Sequence, residues 1–161
     1  MSNSYQRAIA QARKLEPAVR QIGNSVMFDV TSTSELDRFY HVQLSNNKFN
    51  LFQGASCECI GPKFSPCVHR AAAFLTYLAR LEEKLWKGCD VITQMEDFGT
   101  EPKSTIDRHT AIWLDMLDRY ERATDLLKAI EQGMDISNVT ERIVFAQPST
   151  DISQQQLAKA V

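Results

Sequence analysis

Hydrophobic and polar positions along the chain recur with two different periods, which separate helical from extended segments. Apolar residues at three- and four-residue spacing predict a first helix over residues 4–22. Pro17 would kink or divide this helix, and Gly23 is a plausible end. Residues 26–31 then alternate between apolar and polar side chains, which indicates a half-buried strand.

Two further segments, 38–44 and 48–52, also resemble strands. They flank Ser45-Asn46-Asn47, and because asparagine tolerates positive φ, the three segments together predict a β-hairpin. The sequence therefore predicts a small antiparallel β-meander ahead of Cys57.

The helical period returns after Pro66, with a leucine-rich stripe that predicts a helix ending at Gly88. A capping box with Ser104 as N-cap predicts another helix, which ends at Gly133. Residues 138–146 favour a short helix, with an edge strand as the alternative, and we expect residues 148–161 to form a disordered tail.

Composition fits an ordinary globular chain of 161 residues, and no stretch approaches the roughly 20 apolar residues of a membrane helix. The polar N-terminus lacks the apolar run of a secretory signal, so we expect an intracellular protein, cytoplasmic or, in a eukaryote, nuclear. The formal net charge of −2 conceals an asymmetry. Residues 38–87 carry a net charge of +4 and residues 88–161 a net charge of −6, which suggests two surfaces with different partners.

Three of the four cysteines lie close together, in the order Cys57, Cys59, Cys67, and His69 follows them. In a reducing compartment, cysteines grouped with histidine are more often metal ligands than disulfide partners. Three thiolates and one imidazole form a closed tetrahedral zinc set, which predicts one structural Zn²⁺ per chain. His41 and His109 stand apart and are expected not to be ligands, and Cys89 is expected to be a structural thiol.

The same residues resemble the signature of the SWIM-type zinc finger, Cys-x-Cys followed by a variable gap and Cys-x-His. The order of a meander, the ligands and a helix over residues 25–80 is similar to that family as well. The resemblance implies a zinc-bound finger of ββα type and a role in DNA binding or protein interaction, often in proteins tied to transposition, recombination or chromatin. It lends no support to residues 1–24 or 88–161.

These observations predict an α+β fold in which the meander and the zinc-bound ββα-like finger pack with N-terminal and C-terminal helices. We divide the chain into an N-terminal helix (1–24), a SWIM-like module (25–88), an acidic helical extension (89–147) and the tail (148–161).

No motif of an enzyme is present, and four protein ligands leave zinc no open position, so we expect a protein without enzymatic activity and without a small-molecule substrate. Five basic residues could contact DNA phosphates: Lys63, Arg70, Arg80, Lys84 and Lys87. The alternative is a zinc-stabilised protein-interaction module that docks a protein partner or a second copy through the acidic helix, with no membrane contact.

Overall fold

The computed structural model describes residues 3–59, 66–134 and 136 of the chain. Lys63 and the segments 138–146 and 148–161, for which predictions were made above, lie outside the described residues. The elements follow in the order α1 (Ser4–Leu15), β1 (Val19–Gln21), β2 (Met27–Thr31), β3 (Phe39–Gln43), β4 (Ser56–Cys57), α2 (Val68–Phe98) and α3 (Lys103–Glu131). The predicted α+β class is confirmed.

The four strands form one antiparallel sheet in the order β1-β2-β3-β4, so each strand pairs with its neighbour in sequence. Phe28 and Val30 of β2 and Val42 of β3 are buried on the face that packs against α2. The antiparallel order of β2 and β3 matches the predicted meander, whereas β1 and β4 lie outside the strands that the sequence predicted.

The first helix is shorter than its apolar pattern predicts. Asn3 caps α1 through a reciprocal capping box with Gln6, and Glu16 ends the helix in the left-handed conformation. Pro17 follows directly and cannot continue a helix, so the chain turns and residues 19–21 become β1, which pairs with β2. The prediction of helix over residues 4–22 was therefore wrong for its second half.

The predicted strand over residues 48–52 was also wrong. This segment forms consecutive turns, in which Leu51 and Phe52 are buried and Phe49 is half-buried. Phe52 is fully buried, stacked on Phe74 of α2 at 4.9 Å between ring centroids and edge-on to Tyr5 of α1 at 5.3 Å. The alternation reflected core packing of a compact loop, and the partner of β3 is the short strand β4.

Helix α2 does not end at Gly88 as predicted but continues to Phe98, with Gly99 as its left-handed cap. The reason lies across the helix pair. Trp113 of α3 donates a hydrogen bond from Nε1 to the backbone oxygen of Leu85 at 2.8 Å, and a Cβ at Gly88 would lie 2.9 Å from Trp113 Cδ1. Gly88 is thus a point of close helix packing.

Helix α3 begins at Lys103 after Pro102, with no side-chain cap, so the predicted capping box at Ser104 is not formed. Its predicted stop is confirmed, since the helix ends at Glu131 and Gly133 adopts a positive φ of 75°. Together α2 and α3 form a long helical hairpin. Only the first part of α2, up to Leu85, and the last part of α3, from Ala123, pack into the core. The stretch between these two residues is described throughout, and none of its residues is buried.

No helix within the described part of the chain is both long enough and apolar enough to cross a bilayer.

Candidate metal centre

The four predicted ligands come from the junction between the sheet and α2. Cys57 lies on β4, paired opposite Val42 of β3, and Cys59 follows two residues later in a bend. Cys67 is the N-cap of α2 and His69 lies in its first turn. The meander and the helix start thus carry two ligands each, as the spacing of the two pairs predicts.

The ligand atoms of Cys57, Cys59, Cys67 and His69 all lie within 4.8 Å of one another. Cys57 Sγ and His69 Nδ1 are 3.9 Å apart. A tetrahedral zinc with bonds of about 2.3 Å to sulfur and 2.0 Å to nitrogen spaces its ligand atoms by roughly 3.5–3.8 Å. The cluster is therefore close to the dimensions that such an ion requires.

Backbone amides point at two of the sulfur atoms. The N–H of Arg70 donates to Cys67 Sγ, and the N–H of Cys59 donates to Cys57 Sγ, both at 3.5 Å. Cys67 also lies at the N-terminus of a long helix, where the macrodipole favours negative charge. Both features stabilise thiolates, which is the form in which cysteine binds a metal.

His69 is held in place by the sheet. Its side chain is buried, and its ring lies 4.7 Å from the ring of Tyr40 on β3, measured between centroids. Arg38 covers the same tyrosine ring at 5.1 Å. Within the described residues, His69 Nε2 is buried and has no hydrogen-bond partner. The other ring nitrogen, Nδ1, is the one that lies near Cys57 Sγ.

The donor set fits zinc. Thiolate and imidazole donors suit Zn²⁺ over calcium or magnesium, which take oxygen ligands. In the protein alone, the hydrogen bond with Cys67 and burial raise the pKa of Cys57, while that same bond lowers the pKa of Cys67. A bound dication would supply the charge that lets these sulfurs ionise together. The geometry supports a metal site here and does not identify the metal.

The remaining titratable residues singled out in the sequence lie elsewhere. Among the described residues no other group of three or more Cys, His, Asp or Glu forms a candidate cluster, so neither His41 nor His109 belongs to one. Cys89 is a half-buried free thiol in the middle of α2.

The basic residues proposed for DNA contact have different environments. Arg70 is buried, with 8% of its surface exposed. Arg80 and Lys87 are exposed on α2, where Lys87 forms an ion pair with Glu83 at 2.5 Å. Lys84 donates to Asn24 of the β1–β2 turn at 3.3 Å.

Sequence reasoning missed a charged cluster on the open face of the sheet. Asp29 accepts from Arg20 at 2.5 Å and lies 2.6 Å from His41 Nδ1, although its side chain is only 9% exposed. The hydrogen bond from Arg20 lowers the pKa of Asp29, opposed by burial and assisted by His41. The available signal was an acidic residue on a half-buried strand, and its position between Arg20 and His41 becomes visible only once the strands are in register.

Comparisons of the chain with models of protein families, with curated proteins and with solved structures gave no match.

Proposed function

We propose that this protein is a non-enzymatic accessory protein in which one zinc ion ties the sheet to α2. The observation that carries the proposal is the convergence of Cys57, Cys59, Cys67 and His69 from two separate elements onto one point. All four positions of a tetrahedral zinc would be filled by the protein, which leaves none for an activated water. The ion therefore acts on folding rather than on a substrate.

The matched pair Cys67→Ser and Cys89→Ser tests this structural role. Both variants replace a half-buried thiol with a hydroxyl. Cys67 is the N-cap of α2 and belongs to the cluster, whereas Cys89 lies within α2 and does not. We expect Cys67→Ser to lose zinc, to melt at a lower temperature and to be cleaved faster by protease between residues 54 and 70. Cys89→Ser should keep its zinc and its melting temperature. Loss of zinc from Cys67→Ser without any change in melting or cleavage would refute a structural ion.

DNA binding is one way in which such a protein would act. The resemblance to the SWIM-type zinc finger supports a role in recombination, transposition or related DNA transactions. Arg80, Lys84 and Lys87 recur at i, i+4 and i+7 on α2 and could contact successive phosphates. Glu83 lies among them, and the hydrogen bond from Lys87 lowers its pKa, with Arg80 and Lys84 contributing. This carboxylate offsets part of the positive charge, so the binding we propose is weak.

A salt titration of the full chain on a labelled duplex tests this role. The triple variant Arg80→Ala/Lys84→Ala/Lys87→Ala should bind more weakly and with a shallower dependence on salt, by about 0.9 in slope for each lost phosphate contact. A control triple variant removes equal charge from other surfaces, at Arg7, Lys14 and Lys103, which are all exposed. Equal binding by the two triple variants would assign any affinity to net charge alone.

The second role is protein interaction, and a separate observation favours it. Five large apolar side chains are exposed on the distal part of the α2–α3 hairpin: Trp86, Val91, Phe98, Ile112 and Leu114. Apolar groups concentrated on one projection that does not enter the core are typical of an interaction surface.

A further inference from the structure

The packing of α2 on α3 gives the distal hairpin two distinct faces. Leu85 and Gly88 of α2 lie against Trp113 of α3 and form the seam of the antiparallel pair. In an antiparallel pair of right-handed helices, the residues one position after each seam residue lie on the same side of the pair. The residues one position before each seam residue lie on the opposite side. Trp86 and Leu114 therefore share one face, and Lys84 and Ile112 share the opposite face.

The first face, here called the acidic face, continues from Trp86 and Leu114 at helical spacing. It consists of Glu82, Trp86, Asp90, Asp97, Asp107, Leu114 and Glu121. Trp86 is 68% exposed and Leu114 48% exposed. Burial raises the pKa of Glu121, and the neighbouring carboxylates of Asp118 and Asp125 raise it further, as expected where negative charge is concentrated. Lys103, near the tip, offsets part of this charge.

The second face, here called the basic face, follows from Lys84 and Ile112 in the same way. It consists of Arg80, Lys84, Lys87, Val91, Phe98, Arg108 and Ile112. Phe98 is 74% exposed and Ile112 is 51% exposed. Glu83 borders this face and pairs with Lys87, which leaves the face net positive. Both faces thus combine exposed apolar groups with charge, and the charges are of opposite sign.

We propose that the partner of the distal hairpin is a second copy of this chain, with the acidic face of one copy on the basic face of the next. Charge complementarity carries this choice, because each face offers the other side chains of the opposite charge together with exposed apolar groups, which include Trp86 on one face and Phe98 on the other. The inference rests on the protein-interaction role above and names its partner. It does not depend on the metal.

The contact joins two different surfaces, so it does not close on itself as a two-fold dimer does. Such heterologous contacts add copies in one direction and form rings or open chains. Each face extends over about four to five helical turns, and each is bordered by a residue of the opposite charge, Lys103 on the acidic face and Glu83 on the basic face. We therefore expect weak association that rises with protein concentration and falls with salt.

Sedimentation velocity of two single variants, alone and mixed, tests this arrangement. Wild-type protein should exceed the 18.3 kDa of one chain as its concentration is raised toward about 1 mM, and adding salt should reverse the change. Trp86→Ala removes the most exposed apolar side chain of the acidic face, and Phe98→Ala removes the most exposed one of the basic face. Each variant alone should associate at least tenfold more weakly than wild type, as expected for the loss of an interface anchor.

The mixture of the two variants distinguishes this contact from a symmetric one. It should form complexes of two chains and no larger species, because the intact basic face of Trp86→Ala meets the intact acidic face of Phe98→Ala. Leu36→Ala, at a fully exposed loop residue outside the hairpin, should associate like wild type. A wild-type protein that stays monomeric, variants that associate normally, or a mixture that stays monomeric would each overturn the proposal. Zinc content measured on the same samples shows whether the metal centre is intact, so an absence of association can be distinguished from a loss of the metal.

Discussion

Replacing Gly88 with alanine tests the packing that joins the two long helices. Alanine in place of glycine within a helix normally stabilises by about 1 kcal/mol. Here the added Cβ would lie 2.9 Å from Trp113 Cδ1, so the indole must move and strain its hydrogen bond to Leu85. Overpacking of this kind costs about 1–3 kcal/mol, and a weakened hydrogen bond about 0.5–1.5 kcal/mol. The clash therefore outweighs the helix propensity.

We expect Gly88→Ala to be less stable than wild type by about 1–2 kcal/mol, which lowers the melting temperature by roughly 3–6 °C for a chain of this length. The informative comparison repeats the substitution in a Trp113→Ala background, where no indole opposes the methyl group. There Gly88→Ala should stabilise the protein by about 1 kcal/mol. Urea unfolding of the four proteins gives both values. Stabilisation by Gly88→Ala in the wild-type background would refute the packing described here.

Further predictions concern the sheet and the core. Asp29 has a folded-state pKa below its unfolded value, so its contribution to stability is present above about pH 4 and is lost as pH falls through the folded pKa. Melting temperatures should accordingly differ between wild type and Asp29→Asn at pH 7 and converge as the pH falls below the folded pKa of Asp29, and a constant difference would contradict this. Phe52→Ala should lower the free energy of unfolding by about 3–5 kcal/mol, because Phe52 is fully buried between two other rings, whereas Leu36→Ala should change it by less than about 0.5 kcal/mol. Equal effects of the two substitutions in urea unfolding would contradict the assigned core.

Local sequence signals predicted those features that depend on neighbours along the chain. The alternation in β2 and β3, the helix start after Cys67 and the stop at Gly133 all have local causes, and the ligand spacing indicated the cluster. The features that were missed depend on contacts between distant residues. Val19 matched a helical period by coincidence, and its place in β1 is decided by pairing with Val30 of β2.

Long-range packing also reversed the usual meaning of two local signals. Gly88 ordinarily marks the end of a helix, but here it accommodates Trp113, twenty-five positions further along the chain. Phe49 and Leu51 alternate with polar residues as in a strand, yet Leu51 and its neighbour Phe52 are buried because a loop folds onto the core beside α1 and α2. Neither outcome can be obtained from propensity or periodicity, because both require the three-dimensional arrangement of the helices.

The central claim is that one zinc ion is held by Cys57, Cys59, Cys67 and His69. Zinc-edge X-ray absorption, with elemental analysis of the full chain purified without chelator, tests it most directly. We predict one zinc per chain, three sulfur neighbours at about 2.3 Å and one nitrogen neighbour at about 2.0 Å. Protein that contains no zinc, or a spectrum in which oxygen replaces any of the four ligands, would contradict a closed structural site.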